Sequence, residues 1–203
     1  MSSFNGLWVP PQAHFLYYLY FFINMCYTNT NIVIYSPLSL FGVRVVKEKT
    51  CCFTGHRDIP SGAYQRIFSK TEEMVEKLIK EGYLYFGAGG ALGFDTIAAF
   101  TVLKLKEKYP DVRLILVLPC LSQTRGWSSH DVEIYNDIKS RADKVVYTSE
   151  EYTRGCMHKR NRHLVDNSSA CIAYLTDSKG GTAYTVDYAK KHGLIVYNIA
   201  DYI

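Results

Sequence analysis

Residues 83–95 read YLYFGAGGALGFD, and this stretch decides the fold. Its apolar start, residues 83–86, has the length and composition of a buried strand, and four glycines then fall within residues 87–93. Phe94 and Asp95 open a helix-like segment. Backbone amides of a glycine loop, together with the dipole of the following helix, favour a phosphate. The loop is not a P-loop, because no Gly-Lys-Ser/Thr follows it, and it matches the dinucleotide fingerprint only imperfectly.

The same alternation of short apolar runs and amphipathic stretches extends in both directions from this loop. Such alternation is typical of strand and helix units wound around a parallel sheet. Right-handed crossovers bring the loops that follow the strands to one edge of the sheet, where ligands of such folds bind. The sequence therefore predicts a Rossmann-like, three-layer α/β fold with a mainly parallel sheet of about six strands, at residues 50–54, 83–86, 113–118, 145–147, 170–175 and 194–198.

A second glycine-containing loop, Thr54-Gly55-His56-Arg57, comes directly after the first predicted strand. The glycine lets backbone amides approach a ligand, and His56 and Arg57 are able to bind an anion through charge-assisted hydrogen bonds. The alternative is a tight turn with an arginine facing solvent.

A third such loop, Lys179-Gly180-Gly181-Thr182, precedes the last predicted helix. The Thr182 hydroxyl is able to donate to a phosphate, and the alternative is that it caps the helix.

A basic run, Lys159-Arg160-Asn161-Arg162, lies on a predicted helix. A charge run of this kind is usually a solvated helix face, so only its position beside the glycine loops makes it a candidate for ligand binding.

Length and composition indicate one globular domain with an extension. The chain has 203 residues, and its net charge of +4 comes from Lys and Arg residues interleaved with Glu and Asp. Charge alone therefore does not indicate a nucleic-acid partner.

The cysteines indicate packed thiols rather than disulfides. Cys51, Cys52, Cys120 and Cys171 lie in runs that have the pattern of buried strands, which predicts reduced thiols and a reducing, cytoplasmic compartment. No metal site is expected, because Cys156, His158 and His163 lack a second cluster to complete a ligand set.

Residues 1–47 differ from the rest and form an atypical hydrophobic extension. The aromatic segment 15–27 has 13 residues, fewer than the roughly 20 that a bilayer span needs, and residues 1–14 contain no Lys or Arg. One interpretation is translation from upstream of the true start, which would lie at Val43, Val45 or Val46. The other is a membrane-associating tail. No membrane contact is expected for the core domain, residues 48–203.

Several motifs, in order, resemble the SLOG superfamily and its YpsA-like branch of bacterial and phage proteins. The resemblance covers residues 49–199 and includes TGHR, GGALGFD, the stretch 119–127 with Gln123 and Trp127, the KRN run and the closing GGT. It implies a Rossmann-like domain that binds a nucleotide or a nucleotide-derived ligand. The full set of candidate ligand-binding residues is Gly55, His56, Arg57, Gly89, Gly90, Gly93, Asp95, Gln123, Trp127, Arg160, Asn161, Gly180, Gly181 and Thr182.

The resemblance also raises the question of catalysis, because Lonely Guy-type members of the superfamily hydrolyse the glycosidic bond of a nucleoside monophosphate. Those enzymes carry a glutamate shortly after the closing Gly-Gly-Thr, where this chain has residues 183–186, AYTV. Asp95 is the candidate catalytic residue that remains, and Asp187 lies one helical turn beyond Ala183. Stabilising an oxocarbenium-like centre requires a placed carboxylate.

Three functions follow as alternatives. The leading expectation is a sensing or regulatory module that binds a nucleotide-like small molecule without catalysis, with no other cofactor. The second is an N-glycosidic hydrolase in which Asp95 is the acid or nucleophile and Arg57 or Arg160 holds the phosphate. The third, binding of single-stranded DNA as in the recombinase-loading members of the superfamily, would need a basic and aromatic stripe that is not obvious in the sequence. A homo-oligomer stays open.

Overall fold

The computed structural model describes residues 46–203. The hydrophobic extension, including its aromatic segment 15–27, therefore lies outside the described residues apart from its last two positions. The proposed domain boundary at residue 48 stays a prediction.

Six strands follow one another along the chain, and each overlaps a predicted apolar run. The second is predicted at residues 83–86 but starts at Tyr85 and includes Gly87 and Ala88, which the sequence assigns to the glycine loop. The strands are β1 (Thr50–Gly55), β2 (Tyr85–Ala88), β3 (Arg113–Leu118), β4 (Lys144–Tyr147), β5 (Ala170–Tyr174) and β6 (Ile195–Asn198). The helices that connect them are α1 (Tyr64–Lys80), α2 (Phe94–Lys108), α3 (Ser129–Arg141), α4 (Cys156–Asp166) and α5 (Gly180–Lys191), and a 3-10 helix (Ile199–Tyr202) follows β6.

The six strands form one sheet in the order β4-β3-β2-β1-β5-β6, and every strand pair is parallel. The chain builds outward from β1 to β4 and then crosses back, so that β5 pairs with the free side of β1, from Cys51–Ala170 to Gly55–Tyr174. The winding direction reverses between β1 and β5. In open α/β sheets a ligand crevice forms at such a switch point, outside the carboxyl ends of the strands.

Helices cover both faces of the sheet, which confirms the predicted three-layer fold. The larger core packs α1, α2, α3 and the 3-10 helix against one face, and the smaller core packs α4 and α5 against the other. Side chains alternate between the two faces along each strand, so Cys51 and Phe53 enter the larger core while Cys52 enters the smaller one. This explains why the strands are apolar throughout rather than alternating.

The cysteines are packed as free thiols, as predicted. All five in the described part of the chain are buried and unpaired: Cys51, Cys52, Cys120, Cys156 and Cys171. Burial raises the pKa of the Cys51 thiol well above its usual value, so it stays protonated.

Among residues 46–203, none of the helices combines the length and the apolar composition that crossing a lipid bilayer requires.

Candidate functional site

A cavity of about 260 Å³ lies beside the switch point, at the carboxyl end of β1. Its walls come from β1 and its following loop, the glycine loop after β2, helix α4 and the first turn of α5. Eight of the fourteen candidate residues line it: Gly55, His56, Arg57, Asp95, Arg160, Asn161, Gly181 and Thr182. Motifs that are more than 100 residues apart in the sequence therefore meet in one place.

A buried ion pair forms the floor of the cavity. Arg160 Nη1 lies 3.4 Å from Asp95 Oδ2, and the two side chains are only 7% and 8% exposed. Asp95 Oδ2 also accepts a hydrogen bond from the Ala91 amide at 3.2 Å. Arg160 is less well satisfied, because its Nε is buried and has no hydrogen-bond partner among the described residues. A buried guanidinium with a free donor can accept a further anionic partner.

Burial acts against both charges of this pair. Desolvation raises the pKa of the Asp95 carboxyl, and the nearby Arg160, followed by the Ala91 hydrogen bond and Arg57, offsets part of that rise. Desolvation likewise lowers the pKa of Arg160, which Asp95 opposes and the positive charge of Arg57 reinforces. The cavity thus holds two arginines against one carboxylate, and an entering anion would relieve the repulsion between the two cations.

The glycine loop packs against the buried guanidinium of Arg160 rather than forming an open ligand-binding loop. A Cβ at Gly89 would overlap the Arg160 guanidinium, and one at Gly93 would overlap the backbone of Arg57. Gly93 also has a φ of +75°, which favours glycine. The Phe94 amide, at the start of α2, donates to the His56 carbonyl at 3.0 Å. This hydrogen bond joins the glycine loop to the loop that follows β1, and the glycines allow the two loops to pack closely.

Gln123 and Trp127 lie behind the glycine loop and do not line the cavity. Gln123 Nε2 donates to the carbonyls of Gly89 and Gly90, at 3.2 and 2.8 Å, and the Trp127 ring packs edge-on against Tyr135 at 5.7 Å. Gly90, with a φ of +63°, faces Leu118 on the same side. These residues support the loop from the side away from the cavity.

The two charged candidates of the TGHR loop differ in their surroundings. His56 Nε2 accepts a hydrogen bond from the Thr176 amide at 3.0 Å, so this nitrogen joins the loops that follow β1 and β5. Arg57 is exposed at the rim and forms no hydrogen bond or ion pair with another described residue. Arg57 is therefore the residue of this loop that is available to an incoming anion.

The first turn of α5 brings free backbone amides to the cavity. Gly180, Gly181 and Thr182 are its first three residues, whose amides have no partner within the helix. The N-cap is Lys179, and no side chain caps the helix, so the alternative in which Thr182 caps the helix is wrong. The helix begins at Gly180, one turn earlier than it would if Thr182 were the cap. Thr182 is therefore the third residue of the helix, and in that position it lines the cavity.

Gly181 is the one cavity glycine that packing does not explain. A Cβ built there meets nothing within 4 Å, and its φ is not positive. At Gly55, by contrast, a Cβ would overlap the Phe94 side chain. The open space at Gly181 borders the cavity and leaves room for a ligand to approach the helix start. Gly180, with a φ of +90°, lies outside the lining.

A side-chain tether holds α5 against α4 beside the cavity. Asn161 Nδ2 donates to Thr185 Oγ1 at 2.7 Å, and Thr185 Oγ1 donates to the Gly181 carbonyl at 2.8 Å. The Asn161 amide nitrogen is thereby engaged within the protein. Its contribution to the site is to fix the position of the α5 amides.

The lining supplies one carboxylate, that of Asp95, and Asp187 is an exposed residue of α5 outside it. In residues 46–203 no group of three or more His, Cys, Asp or Glu side chains is arranged to hold a metal ion. The lining holds two arginines and one carboxylate, and this balance of charge favours an anion over a cation.

Sequence reasoning missed two groups of residues. Met157 and Leu164 line the cavity from α4, and the apolar spacing of an amphipathic helix could not distinguish a cavity wall from core. A second, open cavity of about 680 Å³ lies on the outer side of α4, where Arg154, His158, Lys159, Arg162 and Tyr184 contribute to its walls. Tyr184 belongs to α5, whereas the other residues named here belong to α4 or to the loop before it. No single stretch of sequence therefore contains all of them.

Comparison with known proteins agrees with this fold. Residues 51–199 match the profile of the family described as the YspA SLOG family. The uncharacterised SPbeta prophage-derived protein YoqJ of Bacillus subtilis (strain 168) is 32% identical over 139 residues, covering 62% of this chain and 81% of that protein. A UPF0398 protein of Bacillus thuringiensis (strain Al Hakam) is 29% identical over 157 residues, covering 72% of this chain and 85% of that protein.

Among solved structures, DNA processing protein A from Helicobacter pylori, described for its single-stranded DNA binding mode, aligns with a TM-score of 0.54 at 18% identity. The alignment covers 76% of this chain and 66%, slightly less than two thirds, of that chain. At this identity the likeness shows a shared fold.

Proposed function

Because the chain belongs to the YspA SLOG family, we propose that the cavity beside β1 binds the phosphate and sugar of a nucleotide or a nucleotide-derived ligand. The observation that carries this proposal is the buried side chain of Arg160, which lines the cavity and whose Nε has no hydrogen-bond partner among the described residues. An unpaired buried donor is costly, and a phosphate oxygen would satisfy it.

Two further groups converge on the same anion. Arg57 at the rim supplies a second positive charge without an ion-pair partner in the described chain. The first amides of α5, at Gly180, Gly181 and Thr182, add the favourable end of a helix dipole. The bare Gly181 allows the phosphate to come close to these amides.

The volume of the cavity suits part of a nucleotide. About 260 Å³ is slightly below the roughly 300 to 1,000 Å³ typical of pockets for drug-sized ligands. A phosphate with its ribose fits in such a space, and the base would lie at the rim. The Asp95 carboxylate is the acceptor in the lining for a ribose hydroxyl.

Binding without hydrolysis is the function that the geometry favours. Hydrolysis of a glycosidic bond in the usual two-carboxylate manner needs a pair of carboxyl groups flanking the bond, and the lining offers Asp95 alone, already paired with Arg160. The sensing or regulatory role is therefore proposed ahead of the hydrolase. The test between them is the release of free base from nucleoside monophosphates, which the hydrolase alternative requires and Asp95→Asn should then abolish.

The binding proposal is tested by thermal unfolding of the full chain with nucleoside mono- and diphosphates, ADP-ribose, NAD and cyclic dinucleotides. A ligand at about 100 times its Kd should raise the midpoint by about 5 to 10 °C. Gly181→Leu should remove the shift by filling the approach to the α5 amides, while Gly181→Ala should keep the fold unchanged because its Cβ meets nothing within 4 Å. Absence of any shift across the panel would reject the proposal.

A further inference from the structure

Four exposed or half-buried rings form a continuous row on the outer side of α4 and α5. His158 contacts Tyr184 edge-on with a centroid distance of 4.7 Å, Tyr184 stacks with Tyr188 at 6.2 Å, and Tyr188 stacks with His192 at 3.9 Å. We call these four residues the outer ring row. Tyr184, Tyr188 and His192 follow one another at intervals of four residues, which aligns them along one side of α5.

Unpaired cations lie at the start of the outer ring row. Arg154, Lys159 and Arg162 line the 680 Å³ cavity together with His158 and Tyr184. Within the described part of the chain none of these three cations forms an ion pair, and Lys159 makes only a 3.5 Å contact with Ser149 Oγ. Their charges are therefore available to an external partner.

The lysines on the opposite face of the sheet are paired instead. On α1 and α2 the lysines pair with carboxylates, as in Lys70–Glu73 at 2.8 Å, Lys104–Glu72 at 2.7 Å and Lys108–Glu76 at 2.8 Å. These three lysines are thus neutralised locally by carboxylates, whereas within the described residues the cations beside the outer ring row are not.

We propose that the outer ring row and its three cations bind single-stranded nucleic acid, at a place distinct from the cavity beside β1. Nonspecific single-strand sites combine rings on which bases stack with cations that follow the phosphates. Here the cations lie beside Tyr184, which is 38% exposed, whereas Tyr188 is already stacked against both Tyr184 and His192. Asp166 accepts a hydrogen bond from the Tyr188 hydroxyl at 3.0 Å, so the cationic part of the site is the end at His158 and Tyr184.

A protein partner fits this surface less well. The rings carry polar tips, and their neighbours are cations rather than aliphatic side chains, whereas the centre of a protein interface is depleted of charge. Duplex nucleic acid would satisfy the cations but would leave the rings without bases to stack on, since its bases are already stacked.

The test is fluorescence anisotropy of the full chain with dye-labelled 20-nucleotide dT and rU strands, which distinguishes DNA from RNA. Tyr184→Ala should weaken binding at least about fivefold, because a base stacked on an aromatic ring contributes roughly 1 to 3 kcal/mol. Tyr184→Phe should restore it by keeping the ring. Three phosphate contacts predict a slope of about −2 in log affinity against log salt concentration, and Arg162→Ala should make that slope shallower.

Tyr64→Ala is the matched control, because Tyr64 is 48% exposed and stacks with Phe68 at 6.3 Å on α1, where the lysines are paired. It should bind as the unaltered chain does. The proposal is overturned if neither strand binds, if Tyr184→Ala binds normally, or if a duplex of equal length binds as tightly. If Gly181→Leu abolished binding and Tyr184→Ala did not, the nucleic acid would bind at the cavity beside β1. That result would overturn this inference and would leave the proposed phosphate site intact.

Discussion

The guanidinium of Arg160 occupies the space that a side chain at position 89 would need, so that Gly89 and Arg160 fit together only because one of them has no Cβ. The glycine loop thus provides the space in which the buried Arg160 guanidinium packs. Gln123 holds the same stretch from behind through the Gly89 and Gly90 carbonyls. The position of Arg160 in the cavity is therefore set by packing on two sides.

Substitution of Gly89 should expose this dependence. Gly89→Ala should lower the free energy of unfolding by about 1 to 3 kcal/mol, the usual cost of adding a methyl group to a filled site, because Arg160 must move. Urea unfolding measures this change. Gly181→Ala is the matched control and should change stability by no more than about 0.5 kcal/mol, since its Cβ meets nothing within 4 Å. Equal effects at the two positions would show that Arg160 does not need the space at Gly89.

Removal of the Asp95 carboxylate should leave Arg160 as an uncompensated buried charge. Asp95→Ala should therefore cost about 3 to 5 kcal/mol of unfolding free energy. If the cavity accepts phosphate, millimolar inorganic phosphate should recover part of this loss by taking the place of the carboxylate. Urea unfolding with and without phosphate, at constant ionic strength, measures both effects.

The control for that experiment is Asp137→Ala. Asp137 pairs with Arg141 at 3.1 Å on the surface of α3, with the two side chains 51% and 45% exposed, and such pairs contribute at most about 1 kcal/mol. Recovery by phosphate in Asp137→Ala as well would indicate a general salt effect and would contradict a phosphate site at Arg160.

The sequence was sufficient for the strands and insufficient for the roles of the loops. β3 and β5 are buried on both faces, and that burial requires uninterrupted apolar runs such as LILVL, which periodicity detects. The convergence of Arg57 and Asp95 also follows from sequence, because strand-end loops of a parallel sheet meet at one edge. Arg160 reaches the same cavity from within α4, where a basic run is usually a solvated helix face.

What could not be predicted depends on the packing between elements. Gln123 and Trp127 follow a strand as ligand-binding residues do, yet the glycine loop comes between them and the cavity. The outer ring row could not be predicted, because His158 belongs to α4 and Tyr184 to α5. A contact between two helices is not encoded in either segment alone.

Acid should weaken the contact between α1 and the end of α2 through Glu76. Hydrogen bonds from Lys108, Tyr109 and Lys80 lower the pKa of this carboxyl from 4.5 to about 2. Because the pKa is depressed in the folded state, the contribution of Glu76 to stability is present above pH 4.5 and is lost as the pH falls toward about 2.

The difference in thermal midpoint between the unaltered chain and Glu76→Gln should therefore shrink as the pH is lowered from 6 to about 2.5. Lys108→Met removes the largest cause of the lowered pKa, so the pKa of Glu76 should lie closer to 4.5. The pH range over which the contribution of Glu76 to stability is lost should then be narrower. A midpoint difference that stays constant over this range would argue against the assigned role of Glu76.

Loss of the tether between α4 and α5 should loosen the ligand site more than the fold. Thr185→Val keeps the size of the side chain but removes the hydroxyl that joins Asn161 to the Gly181 carbonyl, at an expected cost of about 1 kcal/mol. The α5 amides would then be held less firmly, so the affinity for a nucleotide identified by thermal shift should fall several-fold. Thr101→Val is matched to it, because the Thr101 hydroxyl makes a similar buried bond, to the Ile97 carbonyl at 2.9 Å, within α2 and away from the cavity. Titration calorimetry of both variants should show weaker binding in Thr185→Val alone, and equal weakening would mean that the tether does not organise the site.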